Sequence, residues 1–137
     1  MAIAYRREDD LGAAAFIDIL ERSGLAARRP VGDPERIARM LRHANLIVGA
    51  RDGERLVGVA RALSDFAFCC YLSDLAVDRD YQGKGIGTQL IAETRAAAGP
   101  DSMCLLLSAP DALGFYRAIG MPKSEVAFMY PRTERAS

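Results

Sequence analysis

Three glycines at alternate positions are the feature of this sequence whose type and spacing most directly suggest chemistry. Gly83, Gly85 and Gly87 alternate with Lys84 and Ile86, between a polar stretch and an apparent helix start. Glycines at this spacing let the backbone fold closely around a ligand and point consecutive N–H groups into one concavity. A helix N-terminus adds unpaired N–H groups and a partial positive charge. The sequence therefore predicts a turn that binds a phosphate or pyrophosphate group.

The residues of this turn disfavour two common phosphate-binding motifs. The Walker motif is absent, because no two glycines five positions apart are followed by Lys and Ser or Thr. The dinucleotide motif G-x-G-x-x-G would need a glycine in place of Thr88. It would also need an acidic residue at the end of the next strand, which here ends in Ser108-Ala109-Pro110. A nicotinamide or flavin cofactor is therefore disfavoured.

The elements around the turn must bring a strand end and a helix start together. Apolar and alternating runs predict strands over residues 2–6, 45–50, 55–63, 66–77, 103–107 and 126–130. Helical spacing and end signals predict helices over residues 11–21, 34–44, 85–98 and 111–119. We expect Glu8-Asp9-Asp10 to cap the first helix and Asp33 to cap the second. The order β-α-α-β-β-β-α-β-α-β predicts an α/β (α+β) fold, a mixed central sheet with helices on both faces.

Length and charge limit the possible partners. The 137 residues predict a single domain over 1–137, with a polar tail from about residue 132. Lys plus Arg equals Asp plus Glu at 18 each, which gives no support for nucleic-acid or membrane-surface binding. No apolar run is long enough to cross a bilayer, and the N-terminus lacks a signal-peptide pattern. We therefore expect a cytoplasmic protein with no nucleic-acid or membrane partner.

Cysteine and histidine usage gives no metal site. Cys69 and Cys70 are adjacent, Cys104 stands alone, and none has metal-ligand spacing. We expect them to be buried thiols in a reducing compartment. His43 is the single histidine, so a histidine-based triad or metal centre is poorly supported.

Two blocks of the sequence resemble the GNAT superfamily of acyl-CoA N-acyltransferases. That family's signature is Gln/Arg-x-x-Gly-x-Gly/Ala between its fourth strand and third helix, and here the residues are Gln82-Gly83-Lys84-Gly85-Ile86-Gly87. The stretch from Asp111 to Met121 is similar to the family's Ala-x-x-Phe-Tyr-x-x-x-Gly-Phe block. The resemblance covers residues 45–130. It implies a mostly antiparallel sheet whose fourth and fifth strands splay apart, with the acyl-CoA in the opening.

The resemblance also implies the residues that hold acetyl-CoA as cosubstrate. The pyrophosphate would be bound by backbone N–H groups of the turn, with the Gln82 side chain shaping it. The backbone at the end of the fourth strand would pair with the pantetheine arm and polarise the thioester carbonyl. The family's usual asparagine before the second block is Ala109 here, so Ser108 is a candidate replacement. The implied cofactor-binding residues are Leu75, Ala76, Val77, Gln82, Gly83, Lys84, Gly85, Ile86, Gly87, Thr88, Ser108 and Tyr116.

Tyr116 is the main candidate for a catalytic side chain. In many relatives the tyrosine of the second block is the general acid that protonates the leaving sulfur. A phenol with a pKa near 10 is protonated at neutral pH and can donate a proton. The alternative is a core tyrosine whose hydroxyl has a backbone partner.

The sequence offers two alternatives for the general base. Asp74 is the acidic residue of the fourth predicted strand, and strict alternation places it with Leu72 and Ala76, on the face opposite Leu75. Asp74 could act as base or orient the amine if a β-bulge resets this register. A water relay through Ser73, Tyr71 or backbone carbonyls is the alternative.

The function implied is direct transfer of an acetyl group from acetyl-CoA to a primary amine, without an acyl-enzyme. Cys69 and Cys70 precede the acyl position, which disfavours a covalent cysteine route. A protein lysine or α-amine acetyltransferase and a non-catalytic acyl-CoA sensor stay open as alternatives. The acceptor carries no readable motif, although Arg28 and Arg29 could meet an acidic one. A homodimer is expected by analogy alone.

Overall fold

The computed structural model describes residues 2–133, and the chain divides into two compact units. The first unit ends at Leu107 and the second begins at Ser108. The prediction of a polar tail falls partly on residues 134–137, which lie outside the described residues. The single-domain assignment stays a prediction.

Within residues 2–133, the first unit carries the sheet and three α-helices, and the second carries one short α-helix. In the first unit the elements are β1 (Ile3–Arg7), α1 (Ala13–Ser23), a 3-10 turn (Leu25–Arg28), α2 (Pro34–His43), β2 (Leu46–Asp52), β3 (Arg55–Ser64), β4 (Cys69–Val77), a second 3-10 turn (Arg79–Tyr81), α3 (Ile86–Ala98) and β5 (Met103–Leu105). In the second unit a 3-10 turn (Pro110–Ala112) leads into α4 (Leu113–Ala118).

The sheet is mixed and has the order β1-β2-β3-β4-β5. Neighbours from β1 to β4 pair antiparallel, whereas β5 runs parallel to β4. The β2–β3 hairpin turns at Gly53, whose φ of 60° lies in the left-handed region, as the Asp-Gly pair predicts. The predicted α/β class and mostly antiparallel sheet are confirmed.

Helices cover both faces of the sheet. Gly58 and Val59 are consecutive in β3, so they point to opposite faces. Val59 belongs to the apolar core that α1 and α2 build around Phe16 and Ile37. On the other face, a Cβ at Gly58 would lie 3.0 Å from a methyl carbon of Leu90 in α3. The absence of a side chain at Gly58 therefore lets α3 approach the strand closely.

The predicted cap of α2 is confirmed and that of α1 is wrong. Asp33 accepts a hydrogen bond from the Arg36 N–H at 3.1 Å. The N-cap of α1 is Gly12, which offers no side-chain bond. Glu8 is instead buried, because its carboxylate accepts from Arg51 at 2.7 Å and from Arg6 at 3.1 Å. Burial raises the pKa of Glu8, but the two arginines outweigh it and lower the pKa overall.

β4 begins later than the sequence predicts. The carboxylate of Asp65 accepts hydrogen bonds from the N–H groups of Ala67, Phe68 and Cys69 at 2.8–3.0 Å. The N–H groups of Cys69, Ala67 and Phe68, in that order, lower the pKa of Asp65 to about 2. Phe66 takes a left-handed φ of 60° in this turn. These residues form a turn rather than a strand because a side chain uses their N–H groups.

The strand predicted over residues 103–107 is present as β5, but it ends at Leu105 and lies at one end of the sheet order, with Met103 58% exposed. The last predicted strand is wrong. Residues 126–130 form no strand, and the side chains of Val126, Phe128 and Tyr130 are at least 80% exposed. Aromatic and β-branched residues favour strands mainly through packing against neighbours, and these side chains have little.

Candidate active site

The free edge of β4 is the main feature of the candidate site. β5 pairs only with the first three residues of β4, which are Cys69, Cys70 and Tyr71. Within the described part of the first unit, the remaining β4 residues, 72–77, have no β5 partner. Their backbone edge is therefore open for an added strand-like ligand. This confirms the predicted separation of the fourth and fifth strands and places Leu75, Ala76 and Val77 on the open edge.

A β-bulge lies where the two strands separate. Arg61 of β3 pairs with Asp74, but the next residue, Ala62, pairs with Leu72, so Ser73 is an extra residue. Ser73 and Asp74 therefore both oppose Arg61, and Leu72 and Asp74 lie on opposite faces of the sheet. The strict alternation predicted for β4 is wrong at this point, since a bulge shifts the alternation by one residue.

The glycine turn has the geometry that its spacing predicts. Gly83 and Gly85 have φ angles of 76° and 84°, in the left-handed region. Nothing lies within 4 Å of a Cβ built on either residue, so glycine is needed for backbone conformation rather than for space. The Gln82 side chain donates to the Val77 carbonyl at 2.9 Å and so joins the turn to the end of β4.

The turn ends at the N-terminus of α3. Gly85 is the N-cap residue, and among the described residues no side-chain cap bonds the first N–H groups of the helix. Ile86 and Gly87 are buried, whereas Lys84 and Thr88 are exposed. The buried pair fixes the first helical turn against the sheet, and the exposed residues leave the N-terminus accessible to an anion.

Asp78 is a site residue that the sequence analysis missed. It is 3% exposed and accepts from Arg22 of α1 at 2.5 Å and from the Asp80 N–H at 2.9 Å. Burial raises the pKa of Asp78, but the Asp80 N–H and Arg22 together lower it by more. The pKa is therefore lowered overall, and the carboxylate is held ionised. The signal available was an acid directly between the strand and the glycine turn. Asp78 therefore fixes the path from β4 into the turn.

The sequence-predicted Asp74 is 1% exposed and lies between two arginines. Its Oδ1 accepts from Arg29 Nε at 2.5 Å, and its Oδ2 accepts from Arg61 Nε. Arg29, which the sequence analysis named as able to meet an acidic acceptor, therefore contacts an acidic residue of β4 instead. With both oxygens paired to guanidinium groups, the carboxylate is poorly placed to take a proton from a substrate.

Ser108 and Tyr116 belong to the second unit. Ser108 is half-buried, and its hydroxyl donates to the Ala109 carbonyl at 2.7 Å. Tyr116 lies in α4, half-buried, and its ring meets Phe115 edge-on at a centroid distance of 5.0 Å. The turn and the β4 edge thus share the first unit, and the two remaining candidates share the second.

Cys70 and Cys104 are register partners across β4 and β5. Cys70 is 1% exposed, and burial, followed by the neighbouring Cys104, raises its pKa to about 11. Cys69 is half-buried, and burial together with Asp65 raises its pKa. A thiol is nucleophilic only as the thiolate, so these environments disfavour a covalent cysteine intermediate.

We expect iodoacetamide at pH 8 to modify Cys70 about 10²-fold more slowly in the native protein than in urea, because its pKa is about two units above the ordinary value of 9.0. Peptide mass spectrometry over a time course measures each cysteine separately. The C69S variant is the control: burial and Cys104 raise the Cys70 pKa more than Cys69 does, so its native Cys70 rate should change little. A Cys70 as reactive in native protein as in urea would contradict the burial.

A cavity of about 420 Å³ opens between the start of α1 and the end of α2. Its walls include Asp9, Asp10, Leu41 and Arg42. None of the sequence-predicted cofactor or catalytic residues lines it. The candidate site is therefore assigned from the β4 edge and the glycine turn and not from this cavity.

Comparisons with known proteins by sequence and by structure both find acetyltransferases, in agreement with the resemblance noted in the sequence. The family model described as Acetyltransferase (GNAT) family matches residues 13–121. An uncharacterised N-acetyltransferase, ycf52, of Porphyra purpurea is 36% identical over 104 residues, which cover 67% of this chain and 59% of that protein. GCN5-related N-acetyltransferase 2, chloroplastic, of Arabidopsis thaliana is 35% identical over 92 residues, covering 59% of this chain and 36% of that protein.

A GNAT family acetyltransferase structure from Streptococcus pneumoniae, SP0256, superposes with a TM-score of 0.76 at 21% identity and covers 97% of this chain and 100% of that one. At this level of identity the superposition supports the assignment of the fold alone. The chain spans 59% or less of the two curated relatives named above. In residues 2–133 no helix is long and apolar enough to cross a membrane. Because the family model extends from the first residue of α1 past the end of α4, the chain belongs to the GNAT acetyltransferase family.

Proposed function

We propose that this chain is an acetyl-CoA-dependent N-acetyltransferase that moves the acetyl group directly to a primary amine. The observation that carries the proposal is the continuity between the open edge of β4, residues 72–77, and the glycine turn at the N-terminus of α3. An extended pantetheine arm ending in a pyrophosphate needs such an edge followed by such a turn.

The turn supplies the anion site. The N–H groups from Gln82 to Thr88 would hold the pyrophosphate, supported by the left-handed glycines and the uncapped start of α3. Lys84 is exposed and adds positive charge beside these groups. Because the N–H groups belong to a turn and a helix start that are already formed, they need little reorganisation when the anion binds.

The open edge of β4 would hold the reacting thioester. Leu75, Ala76 and Val77 pair with the pantetheine arm like an added strand, and one of their N–H groups faces the thioester oxygen. A donor aimed at the developing oxyanion lowers the barrier most where water is excluded. The open edge is the structural support for this step.

The transfer itself needs two proton movements. The neutral amine attacks the carbonyl carbon, the C–S bond breaks, and the departing thiolate takes a proton from the Tyr116 hydroxyl. The new amide nitrogen loses its extra proton to water near Ser73 and Tyr71, and Tyr116 regains a proton from solvent. Ser108 is proposed to bond the pantetheine arm. The support for Tyr116 is its place in the second family block.

Two alternative functions use the same acetyl-CoA site. One differs in the acceptor that receives the acetyl group, and the other in having no turnover. A protein lysine or α-amine acetyltransferase uses the same cofactor site and differs in what approaches it. A sensor module binds acetyl-CoA without turnover. The cytoplasmic location and the homodimer stay predictions, and one relative is named as chloroplastic.

The first experiment is isothermal titration of the purified protein with acetyl-CoA beside a thiol-release assay on a panel of small amines and lysine peptides. Binding with release on some amines supports the proposal, and the reactive amine class names the acceptor. Binding without release on any of them supports the sensor alternative. No binding overturns the assignment of Gln82 to Thr88 and the function with it.

We expect Gly85→Ala to raise the Kd for acetyl-CoA about tenfold. A side chain at a φ of 84° costs on the order of 1–2 kcal/mol, and relief of that strain would move N–H groups of the turn. Gly53→Ala is the matched control, because Gly53 also has a positive φ and open space but lies in the β2–β3 hairpin. Isothermal titration of both variants decides. Equal effects on Kd would contradict the anion site.

A further inference from the structure

The polar groups of the β4 bulge are held by two arginines. Besides its contact with Asp74, Arg29 donates through Nη2 to the Ser73 carbonyl at 2.9 Å. Arg61 donates through Nη2 to the Ser73 hydroxyl at 3.0 Å and through Nη1 to the Met40 carbonyl of α2 at 3.2 Å. The extra residue of a bulge is left out of the regular hydrogen bonding between the two strands. Here the carbonyl and the hydroxyl of that residue, Ser73, accept hydrogen bonds from guanidinium groups instead.

The position of this cluster links it to the candidate site. Tyr71 is the last β4 residue that pairs with β5, and Leu75 is the first of the three proposed to face the pantetheine arm. The bulge at Ser73 and Asp74 lies between them. Its geometry therefore sets the direction in which the open edge leaves the paired part of the sheet, and with it the aim of the N–H groups from Leu75 onward.

Arg29 connects this bulge to a different part of the chain. It follows the 3-10 turn of Leu25–Arg28 in the segment between α1 and α2, and its Nη1 donates to the Arg28 carbonyl. Its side chain is 21% exposed, whereas that of Arg61 is 9% exposed. Arg29 bonds the carboxylate and the Ser73 carbonyl through two different nitrogens of one planar guanidinium, a fixed geometry that the single ammonium nitrogen of a lysine does not reproduce.

We propose that Arg29 is a positioning residue for acetyl transfer: acting through Asp74 and the Ser73 carbonyl, it holds the β4 bulge so that the backbone beyond it faces the thioester. Asp74 then serves as the anchor of this cluster and not as the general base. The inference rests on the proposed function. It adds a specific role for a residue in neither of the two family blocks.

The test compares Arg29→Met with Arg39→Met, an exposed arginine of α2, and with Arg29→Lys. We expect Arg29→Met to lower kcat by about 10²-fold, since small misplacements of reacting groups cost this much. The Kd for acetyl-CoA should change much less than kcat, because the glycine turn proposed to hold the pyrophosphate is untouched. Arg29→Lys should recover only part of kcat, and Arg39→Met should match wild type. An Arg29→Met enzyme with wild-type kcat overturns the proposal.

The pH profile separates positioning from base catalysis. In Asp74→Asn we expect kcat to fall while both limbs of the kcat/KM profile keep their pKa values. Loss of the acidic limb in Asp74→Asn would make Asp74 the base and overturn the proposal. The profile of Arg29→Met should likewise match that of wild type in shape.

Hydrogen exchange tests the cluster without using activity. We expect amides of residues 72–76 and 24–33 to exchange about tenfold faster in Arg29→Met, with exchange in α3 unchanged. Unchanged exchange at 72–76 overturns the holding role even in an active enzyme. If wild type releases no thiol on any amine, the proposed function fails, and the role of Arg29 in transfer fails with it. The exchange result then tells whether the bulge is held at all.

Discussion

Replacing Tyr116 by phenylalanine is expected to lower kcat by about 10²- to 10⁴-fold, the usual contribution of a positioned proton donor. In the proposed transfer the leaving group is a thiolate, and Tyr116 is the proposed source of its proton. Phenylalanine keeps the edge-on ring contact with Phe115, so α4 should fold as before. Stopped-flow measurement of thiol release gives kcat, and titration gives the Kd for acetyl-CoA, which should change little.

Two further observations make this result specific. Tyr130→Phe is the matched control, because Tyr130 is fully exposed and should lose no activity. A general acid also leaves a basic limb in the pH dependence of kcat, and that limb should be absent from Tyr116→Phe. A Tyr116→Phe enzyme with wild-type kcat would exclude this general-acid role and favour the alternative in which the tyrosine is structural.

The glycine turn of the candidate site could be predicted from sequence because the residue types within the turn determine its conformation. Gly83 and Gly85 have left-handed φ angles that side chains tolerate poorly, so the turn is fixed by residue type. Asp33 with Pro34 likewise specifies the start of α2. In each case the interacting groups are within a few residues of each other, so the pattern alone is sufficient.

The contacts that fix the bulge could not be read in the same way. Arg29 and Asp74 are 45 residues apart, and Arg61 and Asp74 are 13 apart. A single sequence gives no indication that these charges meet. Strict alternation also fails at Ser73, because an extra residue changes the face of everything before it. The start of α1 was predicted wrongly for a related reason, since Glu8 meets Arg51 from another strand rather than its own helix.

The C-terminal strand was predicted from residue type alone, and residue type was misleading there. Val126, Phe128 and Tyr130 have high β-propensity, yet their side chains are largely exposed. A strand needs cross-strand partners to gain from such residues. Sequence propensity therefore predicts the helices and strands of the first unit correctly, but in the second unit it predicts a strand that is not formed.

Asp74→Ala should lower the free energy of unfolding by about 3–5 kcal/mol, the usual cost of removing one partner of a buried ion pair. The substitution leaves Arg61, which is 7% exposed, without the carboxylate that balances its charge. Urea unfolding followed by circular dichroism measures the change. Asp18→Ala is the matched control, because Asp18 pairs with Arg22 at 2.9 Å but its side chain is 64% exposed. An exposed pair of this kind contributes about 1 kcal/mol or less.

Combining Asp74→Ala with Arg61→Met separates the loss of stability caused by an unbalanced charge from the loss caused by poorer packing. If the cost of Asp74→Ala comes from an unbalanced buried charge, the double variant Asp74→Ala with Arg61→Met should recover part of the lost stability, because it removes both charges and keeps an apolar stem. If the two losses simply add, the residues act independently. A loss for Asp74→Ala no larger than that for Asp18→Ala would contradict the burial of this cluster, and the bulge of β4 would then need another explanation.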